Sequence, residues 1–319
     1  MTKKLVIITG LTGSGKSGLA VKLAKEFNGE IISADSVQIY RGLNIGSAKE
    51  DKEVMKQIPH HLIDIKNFDE NYNVGEFVED CKKAVEDVIS RNKLPIIVGG
   101  TGLYVKALVN GYSLGDKKAD LEYRAELTEI AQKNGNEFVW NMLNELNPDK
   151  AKTVHFNNLK RVIRYIELEK NGAEVLNNDT FINDYQVCIV GIVAEREYIY
   201  SRINQRVDIM LNMGLEQEVK ALIDNGATRE TQSLNSIGYR EWFDYFEGKQ
   251  SKENTIDLIK QHTRNYCKRQ LTFMKTMPKI KMETLQNAEV VIKEFLNDNN
   301  WWKNIRVFKY LWKRMWNKI

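Results

Sequence analysis

The octapeptide Gly10-Leu11-Thr12-Gly13-Ser14-Gly15-Lys16-Ser17 follows a short apolar, β-branched run, Leu5–Thr9. It leads into Lys16–Phe27, where Leu19, Ala20, Leu23, Ala24 and Phe27 recur on one side of a helix. A glycine-rich turn between strand and helix is the setting of a phosphate-binding loop. Gly10, Gly13 and Gly15 let the backbone turn tightly, so that successive N–H groups point at phosphate oxygens. The helix N-terminus adds partial positive charge. In such a loop Lys16 reaches the terminal phosphate and Ser17 offers a hydroxyl to Mg²⁺; Leu11, Thr12 and Ser14 complete the cradle.

Outward from this loop, Glu30–Ser33, His61–Ile65, Leu94–Val98 and Gln186–Val193 read as further strands. Helical patterns separate most of them. Val74–Arg91, for example, sets Val74, Phe77, Val78, Cys81, Val85 and Val88 on one stripe. Strands alternating with helices predict an α/β fold, a P-loop NTPase-like parallel sheet. Ligands of such sheets sit at the carboxyl ends of the strands, where Gly10–Ser17, Asp35 and Gly99-Gly100-Thr101 all fall. Between about 115 and 184 the strand signals vanish and charged amphipathic helices replace them: Leu121–Lys133, Asn136–Leu146 and Asn157–Lys170. The expected organisation is a core of residues 1–114 and 185–298, a helical insertion domain of 115–184 able to act as a lid, and a basic aromatic tail of 299–319. The core after Val193 is expected to be helical nearly to its end.

The chain has 319 residues and a formal net charge of +4, with 42% hydrophobic residues, which bounds it as a globular chain of about two domains. No apolar run reaches membrane-spanning length, and Met1-Thr2-Lys3-Lys4 leads straight into the first strand pattern. Cys81, Cys188 and Cys267 lie far apart and outside metal-ligand spacing, so a reducing cytoplasm is expected. His60-His61 lack a third ligand. Positive charge gathers near the C-terminus. Arg264, Lys268, Arg269, Lys275, Lys279 and Lys281 form one acid-free stretch; Lys303, Arg306, Lys309, Lys313, Arg314 and Lys318 form another. An anionic polymer partner requires such clusters, and a solvated helix face produces them too.

Asp35, after its strand, has the chemistry of a Mg²⁺ holder or general base; a turn aspartate occupies the same kind of position. Thr101, after two glycines, can present its hydroxyl to a phosphate or reacting group, or cap a helix. In context these segments acquire a family likeness. The phosphate loop, D-S-V-Q-I-Y-R-G-L-N-I-G-S-A-K (Asp35–Lys49), H-H-L-I-D-I (His60–Ile65) and V-G-G-T-G-L-Y (Val98–Tyr104) resemble the tRNA isopentenyltransferase family. L-K-R-V-I-R (Leu159–Arg164), S-I-G-Y-R-E (Ser236–Glu241) and T-R-N-Y-C-K-R-Q (Thr263–Gln270) extend the likeness to about residue 278.

The resemblance implies transfer of a dimethylallyl group from dimethylallyl diphosphate to N6 of the adenosine immediately 3′ of the anticodon in tRNA, with Mg²⁺ as cofactor. It implies Asp35 as general base, Thr101 near the reacting groups and Arg206 near the diphosphate. For tRNA it implies Asp35, Ser36, Val37, Gln38 and Thr101 at the extracted nucleotide, with the Gln38 amide suited to an adenine edge. Arg124, Leu159, Lys160, Arg161, Val162, Ile163 and Arg164 would contact tRNA from the insertion. Ser236, Gly238, Tyr239, Arg240, Thr263, Arg264, Lys268, Arg269 and Gln270 would do so from the C-terminal helices. No obligate protein partner is implied, and a monomer is expected. The sequence departs from the family at Leu11, where proline is usual, and at Gly13, where alanine is usual. The residues also admit a P-loop small-molecule kinase, a prenyltransferase of free adenine nucleotides, or a non-catalytic RNA-binding protein.

Overall fold

The computed structural model describes residues 3–111, 120–170, 180–277 and 279–298. The chain divides into two compact units, Met1–Asn110 with Thr180–Ile319, and Gly111–Asp179. The first carries six strands, β1 (Lys4–Gly10), β2 (Gly29–Ser33), β3 (His60–His61), β4 (Leu94–Gly99), β5 (Gln186–Ile192) and β6 (Lys281–Glu283). Every pairing is parallel and the order is β3-β2-β4-β1-β5-β6. The phosphate-loop strand β1 is thus central, with Val6 opposite Ile96 on one side and Cys188 on the other.

The helices are α1 (Lys16–Glu26), α2 (Lys52–Gln57), α3 (Val74–Ser90), α4 (Gly102–Asn110), α5 (Leu121–Asn134), α6 (Asn136–Leu146), α7 (Pro148–Ala151), α8 (Leu159–Lys170), α9 (Arg196–Asn212), α10 (Leu215–Asp224), α11 (Trp242–Phe246), α12 (Lys252–Lys275) and α13 (Leu285–Asn297). Period-two alternation divides the strand side chains between two cores. Leu5 and Ile7 pack with Phe77, Cys81 and Val85 of α3 and with Val105 and Leu108 of α4. Val6 and Ile8 pack with Leu19, Ala20 and Leu23 of α1 and with Ala288, Ile292 and Phe295 of α13. Both faces are covered, which is why β1 reads as a continuous apolar run. Leu23 is fully buried, so Leu23→Ala should cost about 2–5 kcal/mol. α3 begins at a capping box: Asn73 accepts the Gly75 and Glu76 N–H groups, and Glu76 accepts the Asn73 N–H.

Two expectations change. The strand expected over His61–Ile65 shrinks to His60–His61, because Leu62 (φ 61°) and Asp64 (φ 56°) take left-handed backbone conformations that end the pairing. The segment after Val193 is not wholly helical: Lys281–Glu283 adds β6 beside β5, with all three residues half-buried. The three cysteines are buried and unpaired. No helix among the described residues is long and apolar enough to cross a membrane.

The second unit, in its described part, is α5–α8 around Leu127, Val139, Leu143, Val162 and Ile166. Its Glu167 is 1% exposed and paired with Arg124 and Arg164, which hold the carboxyl below its ordinary value against the opposing effect of burial. Phe181–Asp184, a 3₁₀ turn, belongs to the first unit and sets Ile182 in its core. The basic aromatic segment 299–319, including Trp301, Phe308, Trp312 and Trp316, lies outside the described residues.

Candidate active site

A cavity of about 350 Å³ opens at the carboxyl ends of β1, β2 and β4, wholly within the first unit. One wall is the phosphate loop. Gly10 must be glycine, because a Cβ there would stand 2.7 Å from the Ile192 carbonyl oxygen. Gly15, at φ 89°, turns the chain into α1. The loop is fixed from outside. Thr12 N–H donates to Gln270 Oε1 of α12 at 2.8 Å, and Arg202 Nε of α9 donates to the Gly13 carbonyl at 2.9 Å.

Two half-buried cations, Lys16 and Arg206, line this wall. Burial pushes the Lys16 ammonium down to about 8; the Arg206 guanidinium pushes in the same direction, and Asp35 opposes both. Burial also lowers Arg206, again against Asp35. Neither makes an ion pair with a carboxylate among the described residues. Two desolvated like charges destabilise each other, and a multivalent anion between them would reverse that penalty. Ser17, in the first turn of α1, puts an exposed hydroxyl on the same lining.

The rest of the lining includes Asp35–Gln38, Gly46–Ala48 and Gly100-Thr101, and Gly100 lies beside Lys16: a Cβ there would stand 3.6 Å from its Nζ. Gly99 lets β4 run against the end of β2, since a Cβ there would fall 2.0 Å from the Ala34 carbonyl oxygen. That closeness brings Thr101 to Ser36: Ser36 N–H donates to Thr101 Oγ1 at 3.0 Å, and Oγ1 donates to Ser36 Oγ at 3.2 Å. Asp35 Oδ1 accepts the Val37 and Gln38 N–H groups at 2.9 and 3.4 Å. Asp35 is therefore a turn residue and a cavity carboxylate together. The Gln38 amide is already engaged: Oε1 accepts from Ser33 Oγ at 2.9 Å, and Nε2 donates to the Ser47 and Ala48 carbonyls at 3.3 and 3.2 Å. As it stands, Gln38 organises the wall: both Nε2 hydrogens are committed, and Oε1 keeps one lone pair beyond the Ser33 bond.

Thr263, Arg269 and Gln270 reach the cavity from α12, as do Ser236, Gly238 and Arg240 from the preceding segment. Arg269 lies over the Tyr266 ring at 5.5 Å. Lys268 is exposed, and Arg264 turns to Asn204 of α9 at 2.8 Å. Four residues expected at the RNA have buried side chains. Tyr239 is fully buried, Val162 and Ile163 are core residues of the helical unit, and Gln270 is 4% exposed with both amide ends bound to protein. Motif membership does not reveal which face of a helix points inward. In the helical unit Lys160 and Arg161 are exposed and Leu159 is half-buried, while Arg124 and Arg164 are tied to Glu167.

Tyr266 escaped the sequence reading. Its hydroxyl donates to the Gly100 carbonyl at 2.9 Å, and Gln270 Nε2 donates to the same oxygen at 2.9 Å. The signal was the four-residue spacing of two polar residues on one helix face. Burial, reinforced by Asp35, pushes the Tyr266 phenol up to about 12.

A family model described as IPP transferase matches residues 38–277. A tRNA dimethylallyltransferase of Alkaliphilus oremlandii is 43% identical over 306 residues, covering 92% of this chain and 98% of that protein. Another, of Bacillus anthracis, is 43% identical over 277 residues, covering 86% and 88%. The full-length tRNA isopentenylpyrophosphate transferase of Bacillus halodurans superposes with a TM-score of 0.69 at 39% identity, over 92% of this chain and 95% of that one. A eukaryotic dimethylallyltransferase crystallised acting on tRNA gives a TM-score of 0.75 at 28% identity, over 92% and 80%.

Proposed function

The chain belongs to the IPP transferase family, and from that premise we propose how its cavity works: a dimethylallyl group passes from dimethylallyl diphosphate to an adenosine of tRNA. The acceptor is N6 of the adenosine immediately 3′ of the anticodon. The observation that carries this reading is a pair of cations, Lys16 and Arg206, lining one cavity with a carboxylate, Asp35, whose charge acts on both. The diphosphate lies on the loop N–H groups with Lys16 and Arg206 offsetting its charge. As the allylic C–O bond breaks, that charge grows on the departing oxygen, where preorganised cations stabilise it most. Adenine N6 is a poor nucleophile because its lone pair is delocalised into the ring. The new N6–C1 bond places a positive charge on nitrogen, and Asp35 accepts the proton that N6 releases. Thr101, fixed by Ser36, borders the reacting nucleotide.

Mg²⁺ fits the donors present, since the Ser17 hydroxyl with diphosphate oxygens and water makes a hard-oxygen set, and it would add positive charge at the leaving group. An adenine beside the anticodon is stacked, so it must leave the stack to reach Asp35. Lys160, Arg161, Lys268 and Arg269 are exposed cations suited to its phosphates, from the helical insertion and from α12. The protein acts as a cytoplasmic monomer.

The test is radiolabel transfer from dimethylallyl diphosphate, with Mg²⁺, to unmodified tRNA, with AMP and ATP in parallel. Label in tRNA and not in AMP, without ATP turnover, is expected. Label in AMP alone would make it a free-nucleotide prenyltransferase, and ATP turnover without transfer a kinase.

A further inference from the structure

The wall carrying Asp35 has no regular secondary structure between β2 and α2, yet its polar groups converge on one carboxylate outside the recognised motifs. Glu218, in α10, accepts three consecutive backbone N–H groups: Asn44 at 3.0 Å, Ile45 at 2.8 Å and Gly46 at 3.1 Å. Its Oε1 also accepts the buried Tyr239 hydroxyl at 2.7 Å. A run of N–H groups turned toward one point forms an anion nest, and here an internal side chain occupies it.

The connection continues inward. The Tyr239 ring fills the space a Cβ on Gly46 would take, 2.6 Å from it, so the segment is clamped between ring and carboxylate. Ala48 stands at a left-handed φ of 49°. The Ser47 and Ala48 carbonyls receive the Gln38 amide, whose oxygen accepts from Ser33. Asp35 lies between Ser33 and Gln38 and accepts the Gln38 N–H. Lys49 closes the turn from the other side, donating to Tyr40 O at 2.6 Å, Asn44 Oδ1 at 3.0 Å and Asp64 Oδ1 at 2.6 Å.

We propose that Glu218 is a positioning residue for the transfer step, holding the Asp35 turn in register through residues 44–48 and Gln38. The proposal rests on the assignment of Asp35 as base. Glu218 itself does not line the cavity, and the phosphate loop is anchored elsewhere, by Gln270 and Arg202. Loss of Glu218 therefore acts on the rate of transfer and not on diphosphate binding. Displacement of a catalytic group by about an ångström costs on the order of 10²-fold in rate.

Glu218→Ala and Glu218→Gln are measured for single-turnover transfer at saturating tRNA, for dimethylallyl diphosphate affinity by calorimetry, and for melting temperature. Expected is a fall in transfer rate of about tenfold or more with the diphosphate affinity unchanged within about twofold. Glutamine, which keeps one accepting oxygen, should lose less than alanine. Combined with Gln38→Ala, the loss should approach that of the more damaging single change, because both act through one chain of bonds. A transfer rate within about threefold of wild type for folded Glu218→Ala would overturn the proposal, as would rate and diphosphate affinity falling together. If the alanine variant does not fold, Glu218→Gln carries the same two outcomes. Wild-type protein that transfers no label would instead overturn the functional reading beneath.

Discussion

The two walls of the cavity are built by opposite means. The phosphate wall is mostly local in sequence: a strand, a turn with glycines at positive φ, and a helix start within Lys4–Lys16, to which α9 adds Arg206. It presents two cations to the cavity with no carboxylate ion pair among the described residues, so its electrostatics are incomplete until an anion arrives. The nucleotide wall is assembled from β2, β4, α10 and α12, and several of its polar groups are satisfied by protein. One wall waits for charge; the other is a template set before substrate enters. A ligand therefore completes the charge balance of the first, whereas the geometry of the second is set beforehand.

The largest test of this contrast removes the carboxylate proposed as base. Asp35→Ala should lower single-turnover transfer by about 10²- to 10⁴-fold while tRNA binding, read by filter retention, stays near wild type. Near-normal transfer would take Asp35 out of the base role. Lys16→Ala addresses the other wall: dimethylallyl diphosphate affinity should fall about 10- to 100-fold in calorimetry, the loss of a charged hydrogen bond. Melting temperature should not fall, because the substitution removes a cation that burial disfavours.

Gln270 breaks the comparison deliberately, since one amide serves both walls, through the Thr12 N–H and the Gly100 carbonyl. Gln270→Ala should cost about 1–3 kcal/mol in denaturant unfolding and weaken diphosphate binding and transfer together. An effect confined to one wall would show that they are not tied here. The smallest effect is in pH. The free Lys16 ammonium, held down to about 8, is protonated below that pH and neutral above it, while a bound diphosphate raises its pKa. Diphosphate affinity should thus be greatest below about 8 and decline as pH rises through it, a trend that Lys16→Met abolishes. The same linkage makes the ligand-free fold slightly more stable above that pH, where the penalised charge is gone.

The contrast also explains what the sequence revealed. Gly10–Ser17 was legible because strand, turn and helix lie within one continuous stretch with fixed residue types. The strands flanking β1 were legible because burial on both faces leaves apolar runs. By contrast, the misread extension over Leu62–Ile65 failed because an apolar pattern does not record a left-handed backbone. β6 was missed because three half-buried residues carry no periodic signal. At the site, Asp35, Thr101 and Arg206 could be nominated from motifs, and all three line the cavity. Tyr239 could not be distinguished from an exposed aromatic residue, since its burial depends on Gly46, nearly two hundred residues earlier. Glu218 gave no signal at all. Apart from the Tyr239 hydroxyl, its partners are backbone N–H groups, which every residue but proline possesses and no sequence distinguishes.

An amine poised at about 8 is also a reagent. At that pH half of the Lys16 side chains carry a lone pair, whereas an ordinary lysine is almost wholly protonated. Acylating probes at mildly alkaline pH should mark Lys16 well ahead of ordinary surface lysines, and inorganic diphosphate should shield it. Mass spectrometry of the peptide spanning the phosphate loop would then count occupied sites directly, without any tRNA in the tube.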